Sequence, residues 1–481
     1  MKAIYKIAIL SLLTSCFELS QQEKTKDVYT ALDIQPSFDK SIESTFFVQG
    51  SWPNPTWWEE FHSPILSQLI EASITNNPTL HVLQARIMEA QSIAYQARAK
   101  LFPWLSLQGD DDLRLLSKHE FNHILNPTLP LHGYQADLLL SLNYEFDFWN
   151  KNRNLFHAAI GKTKAEEAEL AFVTLLITSA LAQNYFTLVI DHAKQELFLK
   201  LNAIQKERLT LQYAMEKSAL ASKLPSLLDE ELYNMTKQAL YVIQEEIEIR
   251  THAVNVLIGR SPDHPIAIDE IATTLPPLAL PLDLSVELLS RRPDLHAALW
   301  RIESFAYEIS AAKAEFLPNV NLVALGGYAS VQFATLFRSS SKHLGIAPAF
   351  TLPLFTGGSI RAHVKQKEAL FQQAVFQYNE TLLQSIQEVC DVLSHMRSSF
   401  AQKLLQQDTV TRANERLILI EKNQLGGLES TFANLIYQDA LLQESLKDLA
   451  LLNTEYTLTC KLIQALGGGF MSASPLKESH P

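Results

Sequence analysis

Apolar and polar side chains alternate from Tyr134 to Phe148. Tyr134, Ala136, Leu138, Leu140, Leu142, Tyr144, Phe146 and Phe148 fall on one face. Gln135, Asp137, Ser141, Asn143, Glu145 and Asp147 fall on the other, with Leu139 the one break. A period of two predicts a strand with one face in an apolar medium and one in water, of a length that suits a membrane barrel. Leu344 to Leu354 is less regular but keeps Leu344, Ile346, Phe350, Leu352 and Leu354 on one side. Further strands are expected after Pro103 and Pro318, so the strand pairs cover 103–149 and 318–355. Elsewhere the pattern is helical. Phe156 to Met215 and Ile360 to Leu419 each run 60 residues without proline. At ~1.5 Å per residue that is ~90 Å, which predicts a coiled coil or a tube. A helix precedes each strand pair, about Pro64 to Leu101 and Leu284 to Leu317. A second helical stretch follows each long helix and stops at Gly259 or Gly467, where a glycine C-terminus is expected.

This repeated plan reflects an internal duplication. NNPTLHVLQARI from Asn76 matches RRPDLHAALWRI from Arg291, with Pro78 and Pro293, His81 and His296, and Arg86 and Arg301 all 215 apart. Phe146 and Leu352, and Ser179 and Ser385, then match at an offset of 206. Leu220 and Leu428, Ser222 and Ser430, and Gly259 and Gly467 match at 208. Order and near-constant spacing over three blocks mark two copies of one unit. The expected organisation is a signal peptide over 1–15, an extended segment over 16–60, a first repeat over 61–260, a linker over 261–283, a second repeat over 284–469 and a disordered tail over 470–481.

The chemistry of the chain narrows its class. Its 481 residues are 47% hydrophobic and 19% charged, enough apolar material for a core. A formal charge of -12 with no basic run argues against nucleic-acid binding. Lys2 and Lys6, the apolar run Ile7 to Leu13 and then Leu13-Thr14-Ser15-Cys16 form a secretory signal too short to span a bilayer. No later stretch is read as a transmembrane helix, so a spanning part must be a closed β-barrel. Cys390 and Cys460 are expected to be small packing residues. One motif raises an enzyme hypothesis: His119-Glu120-Phe121-Asn122-His123 is H-E-x-x-H, the spacing that holds zinc on a helix with Glu as base. Asn126-Pro127 and Pro130 break any helix directly after it, and the repeat places it in a hairpin loop, which is the favoured reading. No P-loop, G-x-S-x-G or G-x-G-x-x-G is present.

Several segments together resemble one family. These are WWEEF from Trp57, LNYEFDFWNKNR from Leu142, LLSRRPDLHAALWRI from Leu288, LPLFTGGSIRA from Leu352 and QALGGGF from Gln464. They are similar to the outer-membrane factors of tripartite efflux systems, of the TolC/OprM/NodT type. Leu13 to Cys16 resembles a bacterial lipobox, with Phe17 next, as in lipoproteins sorted to the outer membrane. The resemblance implies a mainly helical TolC-like fold with membrane β structure: a homotrimer in which each chain gives four strands to a twelve-stranded barrel, above a long periplasmic helical barrel. It implies Cys16 as the lipidation site, carrying S-diacylglycerol and an N-acyl chain, and an outer-membrane location. It implies an efflux channel for small molecules (drugs, toxic compounds or metal ions), without catalytic residues, cofactor or metal. The partners implied are a periplasmic adaptor and an inner-membrane pump, of the RND type. A type I secretion channel for polypeptides shares the fold and is the alternative; a zinc peptidase through His119, Glu120 and His123 is a remote one. The family often carries Asp and Arg in the inner-helix turn that closes the tip. Ile436 and Asp439 stand there instead, so no charged gate is assigned.

Overall fold

The computed structural model describes residues 48–49, 52–115, 117, 119, 121–128, 131–270, 279–280 and 291–471. The signal peptide, Cys16, most of the linker, the expected helix start at 284–290 and the tail from 472 lie outside them.

The described chain begins with β1 (Val48–Gln49) and a 3-10 turn over Trp57–Phe61. The first helix is broken: α1 (Pro64–Asn76) and α2 (Pro78–Ala99) replace the single helix expected from Pro64 to Leu101. Pro78 is the cause, because the residue before a proline is driven out of the helical region. Asn77 is accordingly extended, and its side chain accepts from the Thr79 amide at 2.8 Å. Next come β2 (Trp104–Leu115), a short helix α3 (Phe121–Leu125) and β3 (His132–Phe146). Two long helices follow, α4 (Lys151–Lys217) and α5 (Lys223–Leu257). After β4 (Ala279–Leu280) the plan repeats: α6 (Pro293–Ala314), β5 (Asn319–Ser330), β6 (Lys342–Thr351), α7 (Ser359–Leu425) and α8 (Thr431–Ala465).

The repeat is closer in structure than in sequence. α2 and α6 are both 22 residues long, β2 and β5 both 12, α4 and α7 both 67, α5 and α8 both 35. The strand registers correct one offset. Trp104 pairs with Asn143 and Asn319 pairs with Thr351, so β3 and β6 correspond at 351 − 143 = 208, not 206. The helix entries agree, because the residue before each long helix, Asn150 or Gly358, is left-handed and 208 apart from its counterpart. The longer first loop therefore has seven surplus residues (215 − 208), and one offset runs unbroken from the second strand to the end of each repeat.

β2, β3, β5 and β6 form one antiparallel sheet in that order. β1 and β4 pair in parallel as a separate two-stranded ribbon. The helices lie side by side: α4 packs against α1, α2, α5, α6 and α8, while α6 packs between α4 and α7. The largest apolar core joins α1, α4, α5 and α8 through Leu66, Ile70, Leu181, Ile190, Val254 and Cys460, with Trp57 and Trp58 closing it. This explains WWEEF. Phe61 stands 4.8 Å from Phe186, and Phe186 stacks on Tyr456 at 4.2 Å between ring centres.

That core also accounts for one apolar stretch. Part of α4 is long and apolar enough, by length and composition alone, to cross a membrane. More than half of that stretch is buried, because α4 has helices on so many sides. An all-round apolar helix is what a core position demands.

Candidate functional site: the sheet faces, the shoulder and the tip

The ladder registers sort the sheet into two faces. Partners across a ladder share a face, so Leu105 and Leu107 of β2 lie with Leu142 and Leu140 of β3, then with Ala324 and Gly326 of β5, then with Ile346 and Leu344 of β6. Val320, Leu322, Pro348 and Phe350 extend this apolar face toward the helices. It is bare: Leu105, Leu107, Leu140, Leu344, Ile346 and Phe350 are all exposed. The opposite face is wet in β2 and β3. Asp110 lies opposite Asp137, and each carboxylate accepts from a glutamine of its own strand, Gln108 at 2.9 Å and Gln135 at 2.6 Å.

The run Asp110-Asp111-Asp112 of β2 is split between the two faces. Asp110 and Asp112 are on the wet face. Asp111 falls on the apolar face at its far end, beside Ala136 and Ser330, where Tyr134 hydrogen-bonds it. At the helix end of the sheet, Phe102, Phe148 and Trp149 are exposed, and Trp149 Nε1 donates to the Pro318 carbonyl at 2.7 Å. An apolar band bordered by aromatics is the form of a membrane-facing β surface.

Below the sheet, the signature segments are structural joints. In FDFWNKNR, Asp147 accepts from the Asn152 and Arg153 amides at 3.0 and 2.8 Å and starts α4. Its counterpart start uses Gly357 and Gly358, both left-handed. In RRPDL, Arg292 is buried and binds Asp294, Glu388 of α7 and the carbonyl of Ala465, the last residue of α8. Burial opposes its charge, but Asp294 and then Glu388 outweigh that and raise the guanidinium pKa above its ordinary value. The same joint in the first repeat is made by Asn77, whose Nδ2 donates to the carbonyl of Leu257 at 2.8 Å. Gly467 closes the second joint: at φ +87 it lies so near the Arg291 carbonyl that no Cβ fits. Only glycine tolerates both constraints.

The far ends of the long helices form the tip. α4 turns into α5 at Ala219 (φ 58°), and α7 into α8 at Gly427 (φ 73°), its counterpart 208 residues on. Arg208 of α4 binds Asp229 of α5 through Nε, at 3.0 Å, and Nη2, and both side chains are buried. Gln205 Nε2 reaches across to Asp439 of α8 at 2.7 Å, and Gln443 donates to the other oxygen of that carboxylate at 2.6 Å. Ile436 is 41% exposed. Of the two tip positions singled out from sequence, Asp439 is thus held inside the chain by amides and Ile436 points away from such contacts. Gln205, Arg208 and Asp229 went unread, because nothing in a helical sequence tells which polar residues will meet across a hairpin.

The remaining candidates are quickly placed. His119 sits in a turn before α3, so it and His123 do not share a helix; Glu120 and the side chain of His123 lie outside the described residues. Among the described residues no group of three or more His, Cys, Asp or Glu is arranged to hold a metal. Cys390 is half-buried, while Cys460 is fully buried and burial pushes its thiol pKa up.

Comparison with known proteins follows this geometry. The model of the family "Outer membrane efflux protein" matches residues 69–213 and 284–468, one block in each repeat. Curated relatives include the multidrug resistance outer membrane protein MdtP of Shigella flexneri, 25% identical over 474 residues covering 94% of each chain. The putative multidrug resistance outer membrane protein MdtQ of Escherichia coli K12 is 24% identical over 463 residues, covering 94% of this chain and 93% of its own. Among solved structures, the outer membrane protein VceC of Vibrio cholerae is 31% identical with a TM-score of 0.76, covering 87% of this chain and all of its own. The Campylobacter jejuni CmeC outer membrane channel shares the fold at a TM-score of 0.77 and 20% identity, covering 88% of this chain and 90% of its own. These relatives are described as outer membrane proteins and, for CmeC, as an outer membrane channel. With its membrane-facing sheet above paired long helices in each of two repeats, the chain belongs to the outer membrane efflux protein family and is a TolC-like efflux channel protein of the outer membrane.

Proposed function

We propose that three copies of the chain close their sheets into one twelve-stranded barrel and that their helices continue it as a periplasmic tube. The observation that carries this is the open four-stranded sheet, apolar on one face from β2 to β6. In lipid every backbone group needs a partner, so edges such as β2 and β6 must be paired with another chain. The lumen then receives the wet face. The cargo is small molecules (drugs, toxic compounds or metal ions) delivered by an inner-membrane pump of the RND type through a periplasmic adaptor. The adaptor engages the tip, where Leu220, Leu224, Leu425 and Leu428 are exposed around the two turns. Engagement favours an open arrangement of α7 and α8 against α4 and α5, at the expense of the Gln205–Asp439 link.

Residues 1–15 are a signal peptide, and Cys16 carries the diacylglycerol and N-acyl chains that anchor the mature N-terminus. Geometry supports the anchor. Trp52 packs beside Val389 and Leu462, about 45 Å below the start of α7 at ~1.5 Å per residue. The intervening residues from Cys16 can span about 120 Å when extended, ample to return to the membrane. In this reading the first repeat is 61–260, the linker 261–283 and the second repeat 284–469.

Cell fractionation of the full chain and of Cys16→Ala, with native mass of the detergent extract, tests the reading. A trimer in the outer membrane whose lipid label vanishes in Cys16→Ala is expected. A soluble monomer would refute the channel assembly, and a label that persists would refute the anchor.

A further inference from the structure

We infer that a basic collar on the outside of the tube, directly below the membrane-facing sheet, binds the phosphates of anionic phospholipids in the periplasmic leaflet. The inference rests on the proposed tube, whose outer side it uses, and adds a ligand to it. Four helix ends meet the sheet at this level, over residues 96–102, 145–157, 311–317 and 351–365. They carry seven Lys or Arg and three Asp or Glu, a net charge of +4 (7 − 3) in a chain of net -12. Lys151 holds Glu145 at 2.5 Å and Lys313 reaches Glu368 at 3.8 Å. Arg153, Arg361 and Lys365 are exposed, and none is in an ion pair among the described residues.

Folding alone does not account for these cations. Arg153 and Arg361 are each the third residue of a 67-residue helix, and neither helix has an acidic residue in its first turn. The helix dipole disfavours a cation there, so both arginines cost stability unless an anion from outside meets them. Yet both repeats keep the basic character. Arg153 has Arg361 as its counterpart and His157 has Lys365, 208 residues on; Arg98 has Lys313, 215 residues on. Interior charge was not kept in this way. Glu308, which accepts from Lys162 and Lys367, has Ile93 as its counterpart, and Lys162 has Leu370. The collar is thus retained twice against a local cost.

Its cations lie on the outer side of the tube. Four steps of seven, the period of a left-handed supercoil, lead from Arg153 to Leu181 and from Arg361 to Val389. Leu181 packs in the core that holds Trp57, and Val389 in the one beside Trp52. In the proposed tube, the segment bearing both tryptophans arrives from the lipid anchor at Cys16, so it covers the tube from outside. Just above the cations, Phe102, Phe148, Phe316 and Phe355 are exposed. The Arg98 guanidinium lies 6.0 Å from the centre of the Phe102 ring and joins the two belts. Aromatic rings at an interface, with long cationic side chains beyond them, suit acyl ends and headgroups respectively. A guanidinium meets a phosphate through two parallel hydrogen bonds.

Native mass spectrometry of the detergent-extracted full chain tests the collar. The micelles are doped with phosphatidylglycerol or with phosphatidylcholine of the same chain length. The wild type should retain about tenfold more phosphatidylglycerol, and about 0.5 M salt should remove most of that excess by screening. Arg153→Gln with Arg361→Gln and Lys365→Gln should lose the excess, yet melt no lower in lipid-free detergent, because these side chains hold nothing in the fold. Lys206→Gln with Lys237→Gln and Lys422→Gln removes three exposed cations nearer the tip and should keep the excess. Equal loss in both triple variants, or loss in neither, would overturn the inference. So would displacement of the lipid by about 10 mM inorganic phosphate, which would make the collar a free-anion site. Monomers that still prefer phosphatidylglycerol would support the collar and sink the trimeric tube.

Discussion

The two hairpins that reach the tip are equal in length to the residue and unequal in chemistry. α4 and α7 have 67 residues each, α5 and α8 have 35 each, and both turns place a left-handed residue at the same position. Yet the buried Arg208–Asp229 pair of the first hairpin has Arg416 and Tyr437 at its counterparts in the second. The shoulder joint is an amide on a carbonyl in one repeat and a buried guanidinium on two carboxylates and a carbonyl in the other. Backbone requirements are therefore met twice, by helix length, left-handed turns and capped carbonyls, while the side chains that meet them were free to diverge. Each hairpin is tied within its own repeat, the first by Arg208–Asp229 and the second by Lys403–Glu455, Gln406–Glu444 and Asn434–Gln424, and Gln205 reaching Asp439 ties one hairpin to the other.

The sharpest way to break this comparison is at the shoulder. Arg292→Ala leaves Glu388 and the α8 terminus without their donor and should cost about 3–5 kcal/mol. Asn77→Ala, its counterpart, should cost about 1–2 kcal/mol. Thermal unfolding followed by circular dichroism measures both; equal losses would mean that the joints are equivalent after all. Next is Glu308→Gln, expected to cost about 2–3 kcal/mol by leaving two lysines without a carboxylate. Burial alone would raise the Glu308 pKa, but Lys162 and Lys367 lower it below the ordinary 4.5. A depressed folded pKa gives stability that is present above pH 4.5 and lost as pH falls further toward the folded value. Acid titration of wild type and Glu308→Gln should therefore converge below that point.

A smaller effect is expected at the tip. Gln205→Ala removes one of two amide donors from the buried Asp439 carboxylate and should cost about 1–2 kcal/mol. If that link holds the tip shut, basal conductance in planar bilayers rises, whereas Gln195→Ala, higher on the same helix, leaves it unchanged. The smallest contrast is at the turns. Ala219→Gly should stabilise by about 1 kcal/mol, because alanine at φ 58° is strained, and Gly427→Ala should destabilise by a similar amount. Opposite signs in a melt would establish that the two turns are one geometry.

Much of this was legible in the chain. Alternation in Tyr134–Phe148 marked β3, and proline-free stretches marked α4 and α7, because those periods follow from which faces must be apolar. The helix break at Asn77 was also written there, in Pro78, but was overridden by the continuous apolar pattern around it. β2 looked irregular because Asp110, Asp111 and Asp112 interrupt it; only the register with β3 showed that two of them face water. The apolar stretch in α4 was beyond a reading by composition, since burial between helices and burial in lipid require the same residues.

Sequence by itself determined the duplication, the element types, the membrane-facing alternation and the family resemblance, because each is carried by local period or by repeated words. Tertiary structure decided which polar residues meet: Arg292 with Glu388, Gln205 with Asp439, Glu308 with two lysines. Those partners are 96, 234, 146 and 59 residues apart, and no local pattern specifies a contact at such range.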